Sequence, residues 1–181
     1  MIIENPPTAK YPINKGYFDN GVIFDTCVLL VFFIDKYTKL HPNKKYLFKK
    51  LNIRDEQITC LNTLLMNFRI SKVIITPHIL SEFLNRIRSD LKEDYQDIKR
   101  ECLEDLKKFE EFRIRKNNLI AHERFLEFGN DISLVLANEI QLKQFKHSCI
   151  MSFDGRFIET FFRKTKSECI AFNLDTLQYF Y

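Results

Sequence analysis

The sequence predicts an α/β domain built on a parallel sheet. Short apolar runs recur along the 181-residue chain, and segments with apolar residues at helical spacing separate them. Strands that alternate with helices in this way are typical of a parallel sheet covered on both faces. The length suits one domain and is sufficient to bury a core.

The first half of the chain contains two predicted strands. Three prolines and a glycine among polar residues predict an irregular lead-in over residues 1–20, before a single domain at 21–181. The segment GVIFD then forms a strand that ends at Asp25, followed by an apolar helical run. The next predicted elements are a turn at 41–45, a helix at 54–69 and a second strand at 72–76.

The second half begins with a helix whose start is well marked. Thr76 is placed as its N-cap and Pro77 as its first residue. Charged residues continue from there to about Lys116, and the apolar positions among them fall on one helical stripe. This pattern predicts one extended charged helix. A helix broken near Ser89 is the alternative. The later predicted elements are a helix at 129–145, a strand at 148–152, a helix at 156–165 and a strand at 168–173.

Composition excludes several classes of protein. The net charge of +4 is too small to indicate a polyanion ligand by itself. Five cysteines without a short-spaced pair argue against a zinc site and favour reduced thiols. The longest apolar run, at 28–34, is too short to cross a bilayer, and the start of the chain does not resemble a signal peptide, so we expect a cytoplasmic protein. Phosphate-binding glycine loops and serine-hydrolase motifs are absent.

Four carboxylates fall where the predicted sheet would bring them together. Asp25 ends the first strand, and Asp154 follows the third. Glu82 lies six residues after the second strand, and Asp131 lies near the start of its helix. Ligands of open parallel sheets gather at the carboxyl ends of the strands, so these acids are expected to converge on one edge.

Such a cluster would be unstable without a cation, because its members repel one another. Oxygen ligands without accompanying Cys or His favour Mg²⁺ or Mn²⁺ over zinc. One or two such ions lower the pKa of a water molecule, orient it and stabilise charge on a phosphodiester. Taken singly, each acid also has a purely structural interpretation, since Asp often caps a helix and helical Glu is usually solvated.

The motifs around these acids resemble those of the PIN-domain family, many of whose members are ribonucleases. They are VIFDTCVLL, VIITPHILSEFLN, GNDISLVLAN and CIMSFDGRF, in the family's order and over residues 22–173. The resemblance implies that Asp25, Glu82, Asp131 and Asp154 are the metal-binding acids. It also implies supporting hydroxyl groups at Thr26, Ser133 and Ser152.

The same resemblance implies a Rossmann-like three-layer domain that cleaves single-stranded or structured RNA with Mg²⁺ or Mn²⁺. It also implies a homodimer, with an antitoxin or another protein as a further candidate partner. The chain departs from the bacterial toxins of this family in length: 57 residues separate Asp25 from Glu82 (82 − 25) and 49 separate Glu82 from Asp131 (131 − 82). We assign the extra length to helical insertions at about 35–70 and 86–116, which argue against a standard toxin role.

Basic residues after Asp154 are candidates for holding the phosphate backbone. They are Arg156, Arg163 and Lys164, although a solvated helix face explains them equally well. His78, one turn before Glu82, is expected near the site or in solvent at the helix start.

Two other functions fit parts of the pattern. One is a catalytically silent PIN-like module that binds RNA or protein. The other is a phosphatase with Asp25 as nucleophile, which is disfavoured because Cys27 occupies the place of its usual second Asp. Cleavage of DNA in place of RNA also stays open.

Overall fold

The structure is a computed structural model that describes residues 18–145, 147–164 and 169–174. The predicted lead-in therefore lies almost wholly outside the described residues. Within them the fold is α/β, with a sheet of five strands in which every neighbouring pair is parallel. The predicted parallel sheet with flanking helices is confirmed. No helix in the described ranges is both long and apolar enough to cross a membrane.

Strands and helices alternate along the described chain. The strands are Val22–Phe24 (β1), Val73–Ile75 (β2), Glu110–Glu111 (β3), Ser148–Ser152 (β4) and Cys169–Asn173 (β5). The helices are Thr26–Leu40 (α1), Tyr46–Lys50 (α2), Asp55–Asn67 (α3), Pro77–Asp90 (α4), Tyr95–Leu106 (α5), Lys116–Ile120 (α6), Phe125–Phe128 (α7), Ile132–Phe145 (α8) and Gly155–Lys164 (α9). Single 3-10 turns occupy Pro42–Lys44 and Gly129–Asp131.

The strand order is β3-β2-β1-β4-β5, so the direction of winding reverses between β1 and β4. These two strands pair directly, with Ile23 opposite Ile150 and Phe24 opposite Met151. Right-handed crossovers place the helices that precede β3 on one face and those that follow it on the other. In open parallel sheets the crevice at such a reversal is the usual ligand site.

The centre of the sheet is fully buried, which explains the apolar strand sequences. Every residue of β1, β2 and β4 is buried, including the polar ends of β4. Gln141 of α8 satisfies part of this buried backbone: its Nε2 donates to Gly21 O at 2.8 Å and its Oε1 accepts from Ser148 Oγ at 2.8 Å. This side chain therefore joins α8 to the starts of both central strands.

Aromatic packing fixes α4 against α1. The ring of Phe83, which is fully buried, lies 5.3 Å from that of Phe33, and Phe33 also contacts Phe109 at 5.8 Å between centroids. Thr76 Oγ1 accepts from Ile79 N at 3.3 Å, and Pro77 begins the helix, as the sequence predicts. Since Phe83 follows Glu82 directly, this packing also sets the position of that acid.

The prediction of one extended charged helix is wrong. Helix α4 ends at Asp90, close to the break expected near Ser89, and α5 ends at Leu106. Asp94 explains the interruption, because it is buried and accepts from Lys44 Nζ at 2.7 Å and Tyr46 Oη at 2.6 Å. The chain then forms β3, a two-residue edge strand of glutamates that carries no apolar alternation to reveal it.

Candidate active site

Asp25 stands directly after β1 at the reversal point of the sheet. Its Oδ1 accepts from the backbone N–H of Thr26, so the residue caps α1. Its Oδ2 accepts from Ser152 Oγ and from the thiol of Cys27, the latter at 3.0 Å. Burial raises the pKa of this carboxyl, against the effect of these three donors, and the charge of Glu82 raises it further. The side chain is therefore held rigidly in a place that disfavours its charge.

Glu82 lies in the second turn of α4, on an exposed part of that helix. Its Oε2 accepts from Thr26 Oγ1 at 3.0 Å, and Thr26 itself is buried. This bond connects the first residue of α1 to α4 and brings the carboxylate beside Asp25.

Asp154 follows β4, the neighbour of β1. Its Oδ1 accepts from the backbone N–H groups of Arg156 at 2.9 Å and Phe157 at 3.1 Å, so it caps α9. Its own N–H donates to Ser152 Oγ at 2.8 Å. Ser152 thus bridges Asp25 and Asp154, and within the described residues Oδ2 of Asp154 has no hydrogen-bond partner.

Asp131 ends the 3-10 turn before α8 and is half-buried. In the described part of the chain its carboxylate has neither a hydrogen-bond partner nor an ion-pair partner. Burial raises its pKa from 3.8 to about 7, with further contributions from the negative charges of Asp25, Asp154 and Glu82, in that order. Asp131 therefore lies near enough to each of the other three acids to be repelled by it.

The four acids have no direct ion pairs with basic side chains in the described part of the chain. Across residues 18–145, 147–164 and 169–174, no Lys, Arg or His forms an ion pair with any of the four acids. A cluster of this kind gains stability from a proton or a bound cation.

The four acids offer only carboxylate oxygens as ligands, and these suit Mg²⁺ or Mn²⁺. Among the residues that the structure describes, no group of three or more Asp, Glu, His and Cys side chains is placed so that it could hold a metal by itself. Mg²⁺ in proteins commonly takes only one or two carboxylates, and water or substrate phosphate completes its shell. The arrangement therefore suits an ion whose remaining ligands are water and substrate phosphate, and not one that is held by protein ligands alone.

The other predicted site residues differ in how close they lie to the four acids. Thr26 and Ser152 contact the acids as described above, whereas Ser133 is buried in the first turn of α8 and donates to none of the four carboxylates. Arg156 lines an open hollow of about 160 Å³ together with Asp131 and Asp154. Arg163 is exposed roughly 10 Å further along α9, and the side chain of Lys164 lies outside the described part of the chain.

Cys27 is a residue of the site for which the sequence analysis predicted no contact with the acids. Besides donating to Asp25, its sulfur accepts from Phe153 N at 3.2 Å and lies 3.5 Å from Ser152 Oγ. Burial and the charge of Asp25 raise the pKa of the thiol well above its ordinary value, so it stays a neutral donor. Its position two residues after Asp25, in the first turn of α1, is the sequence signal for this contact.

Comparison of the chain with protein-family models, with curated proteins and with solved structures gave no match.

Proposed function

We propose that this protein is a PIN-like, metal-dependent nuclease that hydrolyses RNA phosphodiester bonds at Asp25, Glu82, Asp131 and Asp154. One observation carries the proposal. The carboxylate of Asp131 is half-buried and has no partner among the described residues, and the negative charges of Asp25, Asp154 and Glu82 raise its pKa. Such an arrangement lowers stability unless it binds a cation, and acids at a sheet reversal are well placed for phosphate chemistry.

A purely structural role explains only part of the cluster. Helix capping accounts for Asp25 and Asp154, and the Thr26 hydroxyl gives Glu82 a local partner. Asp131 gains no such contact in the described part of the chain, although its position costs it desolvation and repulsion. A residue that is costly to the fold without compensation is typical of a functional site.

The residues divide into ligands and supports. Asp25 and Asp154 would hold Mg²⁺ or Mn²⁺ centrally, with Glu82 and Asp131 completing the site directly or through water. When bound, the metal supplies neutralisation of the cluster, a water of lowered pKa and stabilisation of charge on the phosphate. Ser152 orients both central acids, since it donates to one and accepts from the backbone of the other.

The substrate is inferred from charge and access. The hollow beside Asp131 and Asp154 is open, and Arg156 at its edge provides a cation for the phosphate next to the scissile bond. The choice of RNA over DNA as the substrate rests on the sequence resemblance, because no residue in the described site is shown to recognise a 2′-hydroxyl group.

Cleavage of an end-labelled, mixed-sequence single-stranded RNA tests the proposal. The assay compares Mn²⁺, Mg²⁺ and EDTA for the wild type, Asp25→Asn, Asp154→Asn and the control Asp19→Asn, an exposed acid that precedes β1. We expect cutting that needs metal, disappears in the two site variants and persists in Asp19→Asn. A single-stranded DNA of the same sequence distinguishes an RNase from a general nuclease.

Two results would overturn it. Folded protein that binds the RNA without cutting it, and binds more tightly once Asp131 is replaced by Asn, would identify a silent binding module. Cutting that persists in EDTA and in Asp25→Asn would place the activity elsewhere.

A further inference from the structure

A groove of about 500 Å³ lies beside the four acids, between α4 and the segment that runs from α6 to α8. Glu82 belongs to both places, since it lines the groove and accepts the hydrogen bond from Thr26 beside Asp25. A strand whose backbone lies at the acids would therefore reach this groove without leaving the surface. The volume is in the range of small-ligand sites.

The two walls of the groove differ in chemistry. The α4 wall carries an imidazole, a hydroxyl and an amide, from His78, Ser81 and Asn85. The facing wall is apolar, with Leu119 and Phe125 among its residues. A groove that combines an apolar surface with hydrogen-bonding groups suits a flat heterocycle, whose face stacks and whose edge forms hydrogen bonds.

Charge excludes the main competitor, an anionic group such as phosphate. Within the described residues Glu82 is the acidic member of the groove lining, and no Lys or Arg belongs to that lining. A phosphate in the groove would meet this carboxylate without a compensating cation, whereas a neutral base could donate an amino group to it. The acidic site and the groove, whose lining has no basic side chain, thus suit different parts of one nucleotide chain.

We infer that this groove binds one unpaired nucleobase of the strand whose backbone lies at the acids. The placement of that strand rests on the proposed function. Asn85 is the residue best suited to read the base edge, because it is exposed and its amide can both donate and accept. Arg88 Nη2 donates to Asn85 Oδ1 at 3.1 Å, and among the residues that the structure describes nothing accepts from Asn85 Nδ2.

An abasic scan of an RNA octamer tests this directly. Eight fluorescent octamers, each with one base removed, are titrated in Mg²⁺ against full-length Asp25→Asn protein. This variant is used because we expect it to bind the RNA without cutting it. We expect one position where base removal weakens binding by about fivefold to 150-fold, the range for loss of one stacked base. Repeating that position with A, C, G and U should give a preference that Asn85→Ala reduces.

A filled groove provides the matched comparison. Ser81→Tyr, at an exposed position of α4, places a ring in the groove, while Ser89→Tyr makes the same change at an exposed position of α4 outside it. In Ser81→Tyr we expect weak binding of the intact octamer and no further loss on removing the critical base. Ser89→Tyr should keep both the affinity and the abasic effect.

The outcomes separate this inference from the nuclease proposal. Suppose that the wild type cuts RNA with metal, but that removal of any base leaves the affinity the same, or that Ser81→Tyr keeps the wild-type abasic effect. Either result would overturn the base-binding inference, leave the nuclease proposal standing and make a protein the next candidate ligand of the groove. A base-dependent pattern that Ser81→Tyr removes, in a protein that never cuts, would support the groove and overturn the nuclease.

Discussion

The hydroxyl of Thr26 donates to Oε2 of Glu82 at 3.0 Å, across 56 positions of sequence. Thr26 is buried at the start of α1, and Glu82 stands on the exposed side of α4. The bond therefore fixes the separation between the acid at the end of β1 and the acid supplied by α4. It is the direct contact through which the packing of two helices controls the geometry of the site.

Replacing Thr26 by Val should reduce cleavage without unfolding the protein. Valine has nearly the same shape but cannot donate, so Glu82 loses its orienting partner. Outer contacts of this kind typically alter metal affinity or activity by about 10–100-fold. The rate measured against Mn²⁺ concentration should shift to higher metal for Thr26→Val, while Thr26→Ser, which keeps the hydroxyl, stays near the wild type. Equal loss in both variants would mean that packing, and not the hydrogen bond, matters.

Cys27 should behave as a hydrogen-bond donor to Asp25 and not as a reactive thiol. Its sulfur lies 3.0 Å from Asp25 Oδ2, and burial raises the thiol pKa well above its usual value. Cys27→Ser should therefore retain most activity, and Cys27→Ala should lose more of it, in single-turnover cleavage at saturating RNA. Full activity in Cys27→Ala would show that Ser152 alone is sufficient to hold Asp25.

Asp131 should make the metal-free protein less stable as the pH rises. Its pKa is about 7 in the fold against an ordinary value of 3.8, so between these values the folded protein holds a proton that the unfolded chain has released. The free energy of unfolding should therefore fall as pH rises from about 4 to about 7 and change little above that. Urea denaturation in EDTA at a series of pH values measures this slope.

The variant Asp131→Asn is the control for that slope. It cannot ionise, so it should be more stable than the wild type above pH 7 and should show a smaller slope. Some slope should remain, since burial also raises the pKa of Asp25. Added Mn²⁺ should stabilise the wild type more than the variant at high pH. Identical pH profiles in EDTA would contradict the raised pKa of Asp131.

Phe83 should contribute to stability and, through its neighbour Glu82, to the site. It is fully buried and packs its ring on Phe33 at 5.3 Å. Phe83→Ala should lower the free energy of unfolding by about 3–5 kcal/mol in urea denaturation. Met66→Ala, at a side chain that is 77% exposed, should change it by less than about 0.5 kcal/mol. A small loss in Phe83→Ala would mean that α4 is held mainly by other contacts.

The central fold was predictable because its elements have strong local signals. Buried parallel strands are continuous apolar runs, and Thr76 with Pro77 marks a helix start through the chemistry of capping alone. The break after Asp90 depends on the buried carboxylate of Asp94 and its partners Lys44 and Tyr46, some 50 residues away in the chain. Such a tertiary contact leaves no local pattern.

The candidate site likewise has parts that the sequence could predict and parts that depend on tertiary contacts. Asp25 directly follows β1 and Asp154 lies two residues after β4, so both could be placed on one edge from the parallel order alone. The contact of Cys27 with Asp25 needs the exact rotation of the first helical turn. The groove could not be predicted, because one wall is formed by α6 and α7, helices too short to show an apolar period.

The most direct test of the account is Mn²⁺ binding, measured by electron paramagnetic resonance on full-length protein above pH 7. The wild type and Asp19→Asn should bind Mn²⁺ with the same affinity, and Asp25→Asn and Asp131→Asn should each bind at least about tenfold more weakly. Equal Mn²⁺ affinity in all four proteins would contradict the claim that these carboxylates form a metal site.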